Sequence, residues 1–229
     1  MKRLDKKIII FSPHPDDETI GCGGTIAKKI AEGYEVLIVF MTDGKYAFSK
    51  ILNIDSDPMP DELKHIRKEE MKKAAKILGI MERNLIFLDF EDGSLQNNME
   101  EAERIVTELL KMYRPVEVYF PYKSDVHPDH RATHRIVKNA LVKSGFSGIF
   151  YQYSTFHKFM RLGPIIDIAL GILRRNIVRV DVSMFLSIKE AAIKEFKSEF
   201  AIISRAQKYP IIKAKDIKKK LKGTELFFR

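Results

Sequence analysis

Four short apolar runs, KIIIFS at 7–12, EVLIVFMT at 35–42, LIFL at 85–88 and VEVYF at 116–120, alternate with stretches of helical pattern. Runs this short and this uniformly apolar suit strands buried on both faces, and parallel neighbours need a crossover long enough to hold a helix. The intervening segments meet that need. Residues 19–32 carry Ile20, Ala27 and Ile30 and stop at Gly33; residues 61–78 stop at Gly79; further helices are expected over about 99–113 and 128–142. The order predicts an α/β fold, a Rossmann-like doubly wound, mostly parallel sheet with helices on both faces. Ligands of such sheets bind beyond the carboxyl ends of the strands. The loops after residues 12, 42, 88 and 120 should therefore share one rim.

Two of those loops nearly repeat each other. Pro13-His14-Pro15-Asp16-Asp17-Glu18 follows the first strand and His127-Pro128-Asp129-His130 follows a later one. The prolines fix φ and keep their neighbours extended, so His14, Asp16 and Asp17 are held in set directions. His and carboxylate groups in such a cluster supply N and O ligands to a borderline-soft cation. Of two adjacent carboxylates, one can bind metal while the other faces the open position as a base. If a helix starts at Pro128, proline takes the first helical position, and both histidines sit near its N-terminus. One can complete a two-His, one-carboxylate set and the other can approach the substrate. Asp129 could set a ring tautomer. The chemistry indicated is metal-assisted hydrolysis.

The remaining residues of these segments read as structural. Glu18 is expected to bond the loop and Thr19 to cap a helix. Gly21, Gly23 and Gly24 do not form a dinucleotide fingerprint and point to close helix–strand packing. Cys22 reads as a small buried residue.

The whole motif set resembles the PIG-L/LmbE-like family of zinc-dependent N-acetylglucosaminyl deacetylases. PHPDDE after the first strand, MTDG at 41–44, Arg67-x-x-Glu70, FLDFEDGSL at 87–95 and HPDH at 127–130 occur in the family's usual order. The resemblance implies His14, Asp17 and His130 as ligands of one Zn2+ per chain, another divalent metal being an alternative. It implies Asp16 as general base, His127, protonated, at the oxyanion, and Asp129 as the group orienting His127. Arg67 and Asp92 align with contacts to the sugar or its aglycone. The implied reaction removes acetyl from a small-molecule amino-sugar substrate of N-acetylglucosamine type. A related amide, a thiol-sugar conjugate and a lipid-linked or phosphorylated amino sugar are the alternatives. Some relatives carry tyrosine two residues before the HPDH histidine, where this chain has Asp125.

A different class of function must also be weighed. The net charge of +9, from 40 Lys and Arg against 31 Asp and Glu, could serve a nucleic-acid or membrane-surface binder. Such binding needs clustered cations with stacking aromatics. Here the cations are spread and the aromatics fall mostly in predicted strands, so no nucleic-acid partner is expected. The basic run at 213–222 reads as a solvated helix face, with peripheral membrane contact as an alternative.

Residues 149–153 and 177–182 read as further strands and 186–208 as a final amphipathic helix. The segment 156–176, apolar in its middle, reads as a packed helical hairpin; a lid, an oligomer contact or an interfacial anchor are alternatives, and a homo-oligomer is expected. The chain is expected to form a single domain over 1–229, with an α/β core at 1–155 and a C-terminal elaboration at 156–229. One cysteine excludes an intrachain disulfide framework, and the N-terminal apolar run is too short for a signal-peptide core. A cytoplasmic location is expected.

Overall fold

A computed structural model describes residues 6–155 and 177–229; the expectations for 156–176 lie outside the described residues. Strand β1 (Lys7–Ser12) shows how the sheet is made. Ile8 and Ile10 face one layer of helices, Ile9 and Phe11 the other, and all four are buried. This is the period-two alternation of a strand covered on both sides. Removing a side chain such as Phe11 would cost about 3–5 kcal/mol through lost transfer energy and the cavity left behind.

The other strands are β2 (Glu35–Thr42), β3 (Leu85–Phe90), β4 (Glu117–Pro121), β5 (Ile149–Tyr153), β6 (Ile177–Asp181) and β7 (Thr224–Phe228). They form one seven-stranded sheet in the order β3-β2-β1-β4-β5-β7-β6. The first five are parallel, and β7 runs antiparallel between β5 and β6. The helices are α1 (Asp17–Ala31), α2 (Ala47–Leu52), α3 (Pro60–Leu78), α4 (Met99–Tyr113), α5 (Pro128–Lys143), α6 (Leu186–Ile193), α7 (Lys197–Phe200) and α8 (Ala214–Lys218). Helices α1, α3 and α6 cover one face; α4 and α5 cover the other.

Strand order reverses between β1 and β4, which are hydrogen-bonded neighbours. That is the switch point where a crevice opens at the carboxyl ends of an α/β sheet. The two proline-centred motifs follow those two strands. Helix α1 lies close over the sheet because Gly21 has no side chain: a Cβ there would fall 2.4 Å from the Tyr153 ring of β5. The Tyr153 hydroxyl in turn donates to the Phe11 carbonyl at 2.9 Å. Helix α1 is broken at Cys22, where φ is −143° and ψ 20°. The amides this frees, on Gly24 and Thr25, donate to Glu225 of β7 at 3.0 and 2.8 Å.

Two expectations are corrected, and one strand escaped the sequence. Residues 186–208 are not one helix: α6 ends at Ile193, α7 is a single turn, and irregular chain follows. The break turns Ser198 onto the Glu70 carboxylate, through its amide at 2.9 Å and its hydroxyl at 2.6 Å. Strand β7 was not foreseen. Thr19 lies inside α1 and donates to Glu18 instead of capping the helix.

Candidate metal centre

Between β1 and α1 the chain makes a turn in which Asp16 adopts φ 141°, a conformation that costs a non-glycine residue about 1–3 kcal/mol. Surrounding bonds hold it there. Ser12 donates to the His14 carbonyl at 2.7 Å, the Glu18 carboxylate lies 2.9 Å from Ser12 Oγ and accepts weakly from the Asp16 amide, and Thr42 donates to the Pro13 carbonyl at 2.8 Å. The turn carries Asp16 and Asp17, both buried, into the crevice. Helix α5 supplies the opposite side. His127 is its N-cap and Pro128 its first residue, so the Asp129 amide donates to His127 Nδ1 at 3.2 Å.

Asp17 Oδ2 lies 3.1 Å from His14 Nδ1 and 3.0 Å from His130 Nε2. The other nitrogen of each imidazole faces a second carboxylate. His14 Nε2 is 3.2 Å from Asp129 Oδ2, and His130 Nδ1 is 3.0 Å from Asp125 Oδ2, close though poorly aligned as a hydrogen bond. Carboxylate behind imidazole is how metal-binding histidines are oriented and made more basic. Donor atoms of His14, His127 and His130 lie within 4.8 Å of one another, as do those of His14, Asp92, His127 and Asp129. This cluster could hold a metal ion. Its donor set, imidazole nitrogen with carboxylate oxygen, fits a cation of the zinc type.

The electrostatics point the same way. Burial disfavours charge on His14, yet Asp129, Asp17 and Asp92 outweigh it and raise its pKa well above the ordinary value. His130, also opposed by burial, is lifted to about 10 by Asp17 and Asp125. Asp17, despite burial, is held far below the carboxylate range by His130 and His14. Among the described residues the carboxylates thus outnumber the fixed cations lining the cavity and call for positive charge. Asp16 behaves differently: burial, then repulsion from Asp17 and Glu199, raises it well above the ordinary range against the pull of Arg67. A carboxylate so placed is a good proton acceptor. His127 is lowered to about 4 by burial and by the His14 and His130 charges.

Asp129 and His127 meet differently from the sequence expectation. The Asp129 carboxylate accepts from the Gly93 and Leu95 amides at 2.6 and 3.2 Å and faces His14, while only its backbone N–H reaches His127. An imidazole whose Nδ1 accepts a bond is neutral and carries its proton on Nε2. That bond and the lowered pKa favour a neutral His127 over the protonated form expected from the sequence. Arg67 and Asp92 both line the same cavity. Arg67 Nη2 donates to the Pro15 carbonyl at 3.1 Å and lies 3.5 Å from Asp16 Oδ1. Asp92 accepts from the Tyr46 amide at 2.9 Å and stands 3.6 Å from His14 Nε2.

Several lining residues escaped the sequence reading: Lys50 and Ile51 of α2, Glu199 of α7, and Ile211, Ile212 and Lys213. Glu199 pairs with Arg67 Nη1 at 2.8 Å. No local pattern marks these positions, because they enter the site only through long-range packing. Asp125 was visible only as a departure from the family pattern.

A family model described as GlcNAc-PI de-N-acetylase matches residues 9–141. The chain belongs to this PIG-L family, and so among hydrolytic N-deacetylases. It is 32% identical over 209 residues to a diacetylchitobiose deacetylase of Thermococcus kodakarensis, covering 85% of this chain and 70% of the relative. It is 30% identical over 162 residues to a 1D-myo-inositol 2-acetamido-2-deoxy-alpha-D-glucopyranoside deacetylase of Thermomonospora curvata, covering 61% and 54%. Among solved structures, N,N'-diacetylchitobiose deacetylase from Pyrococcus horikoshii superposes with a TM-score of 0.67 at 25% identity, over 86% of this chain and 72% of that one. Among the described residues no helix is long and apolar enough to cross a membrane.

Proposed function

We propose that the protein is a zinc-dependent N-deacetylase acting on a small N-acetylglucosamine-type sugar, with His14, Asp17 and His130 holding the ion. The observation carrying this reading is the Asp17 oxygen in contact with one nitrogen of each histidine, beside a buried Asp16 of raised basicity. When bound, zinc supplies Lewis acidity and makes the attacking water more acidic. Asp16 takes the proton of that water and returns it to the leaving amine, so its raised pKa serves both steps. His127, a neutral imidazole fixed by the α5 cap, donates Nε2–H to the oxyanion that forms at the acetyl carbonyl, a contribution of about 3 kcal/mol for a well-placed donor. Asp129 and Asp125 orient His14 and His130. Arg67 and Asp92, on the cavity wall, contact the sugar.

The test is acetate release from free N-acetylglucosamine, its disaccharide, a thiol-sugar conjugate and a lipid-linked amino sugar, with metal content measured alongside. About one zinc per chain and acetate from at least one N-acetyl sugar are expected; zinc-loaded protein that releases acetate from none of them would overturn the reading. The same panel separates the alternative substrates. We place the enzyme in the cytoplasm and read the chain as one catalytic domain, a view supported by the single sheet that β6 and β7 share with the core.

A further inference from the structure

The cavity above the metal centre holds about 510 Å3, within the range of pockets that enclose a drug-sized ligand and more than a single acetamido sugar fills. Its lining combines two chemistries. The floor is made of the His and Asp groups described above. The rest of the lining includes an apolar set: Ala47 and Ile51 from α2, Val126 from the loop before α5, and Ile211 and Ile212 from the chain after α7. Ile51 and Val126 are 56% and 46% exposed. Apolar side chains that line the same cavity as a polar site offer a ligand surface on which to bury apolar area.

This apolar set is built, not incidental. Ile211 packs on the cluster of Ala47, Phe48, Ile54 and Leu63. The Ile212 amide donates to the Glu199 carbonyl at 2.8 Å. Ser204 Oγ and the Arg205 amide both donate to Asp57 Oδ2 at 3.1 Å, which pins the segment before them. The charges around the rim are of mixed sign. Lys50 lies 3.6 Å from Asp92, and Asp216 lies near Lys213 on the same wall and pairs with Lys219 at 2.8 Å. Among the described residues the rim therefore offers no cluster of cations for an anionic group.

We propose that the natural substrate carries an apolar substituent, aromatic or alkyl, beside the acetamido carbon, and that Ile51, Val126, Ile211 and Ile212 form its subsite. This rests on the deacetylase reading above, which places the acetamido group at the floor. An anomeric substituent is attached at the carbon next to the one bearing the acetamido group, so it stays close to an acetyl group held at the metal centre. Burying one phenyl ring against these side chains is expected to raise kcat/KM about tenfold or more over the bare sugar.

The experiment compares kcat/KM of the zinc-loaded protein for the phenyl α- and β-glycosides of N-acetylglucosamine, for free N-acetylglucosamine and for its disaccharide. One phenyl anomer should exceed free sugar about tenfold, and Ile51→Asp should bring that ratio close to one. Ile211→Ala, a milder change in the same subsite, should lower the ratio by about threefold or more. A wild-type ratio near one for both anomers would overturn the proposal, as would a ratio unchanged in Ile51→Asp. Binding of phenyl glucoside, which has no acetamido group, is titrated in parallel. Saturable binding that Ile51→Asp abolishes, with no acetate from any compound, would sink the deacetylase reading and leave the apolar subsite standing. Absence of such binding with acetate still released would sink the subsite alone.

Discussion

The floor of the cavity and its C-terminal wall are held by different kinds of structure. On the floor, His14, Asp16 and Asp17 leave β1 and His127 and His130 open α5, so each side chain starts from a strand end or a helix start, with local bonds such as Ser12 to the His14 carbonyl and the Asp129 amide to His127 beside it. The wall formed by Glu199, Ile211 and Ile212 is itself a single helical turn and irregular chain laid against α2 and α3. It is tied by side chains to distant positions: Ser198 to Glu70, Glu199 to Arg67, and Ser204 to Asp57. A site can thus keep its chemistry in rigid elements and place its substrate wall on tethered chain.

The largest effect is expected at the floor. Asp16→Asn should lower acetate release by about 10²–10⁴-fold while metal content stays the same, measured by turnover and metal analysis of one preparation. Equal loss of metal would mean that Asp16 is a ligand and not the base. Next comes the joint between floor and wall. Arg67→Met leaves the buried Glu199 carboxylate without its partner, so unfolding by denaturant should show a loss of about 3–5 kcal/mol. The double variant Arg67→Met with Glu199→Leu should regain much of that loss; a double variant as unstable as the single would show that the pair does not act as a unit.

A smaller effect is expected behind the metal. Asp125→Asn removes the charge facing His130 Nδ1, and zinc affinity measured by chelator competition should fall about 10–100-fold. No change would assign Asp125 to the α5 cap alone, through its bond to the His127 amide at 3.1 Å. The smallest effect lies within the wall. Ser198→Ala leaves the Glu70 carboxylate with the Ser198 amide but no hydroxyl, and stability should drop by about 1 kcal/mol, read by denaturant titration.

Much of the core was legible because its signals are local. The helix over 99–113 and the stop at Gly79, whose φ is 90°, follow from periodicity and from a residue free to take the left-handed conformation. The clustering of the two motifs followed from strand order, since both are loops after strands of a doubly wound sheet. The helix expected over 186–208 failed because its periodicity reports apolar spacing only. It cannot register that the chain breaks after Ile193 and resumes as one turn in which Ser198 and Glu199 meet carboxylate and guanidinium groups far away in sequence. Strand β7 was hidden for a related reason: Thr224–Phe228 is five residues long, and what makes it a strand is the gap between β5 and β6.

The same division holds for the chemistry. The sequence by itself determined the donor types, their order and the turn that presents them, because prolines, strand ends and a helix N-terminus act over a few residues. Only the tertiary structure decided that Asp129 backs His14, that the His127 pKa is lowered, and that apolar side chains share one cavity with the charged cluster. Those properties come from burial and from charges brought together across the fold, and neither is written in any one stretch of chain.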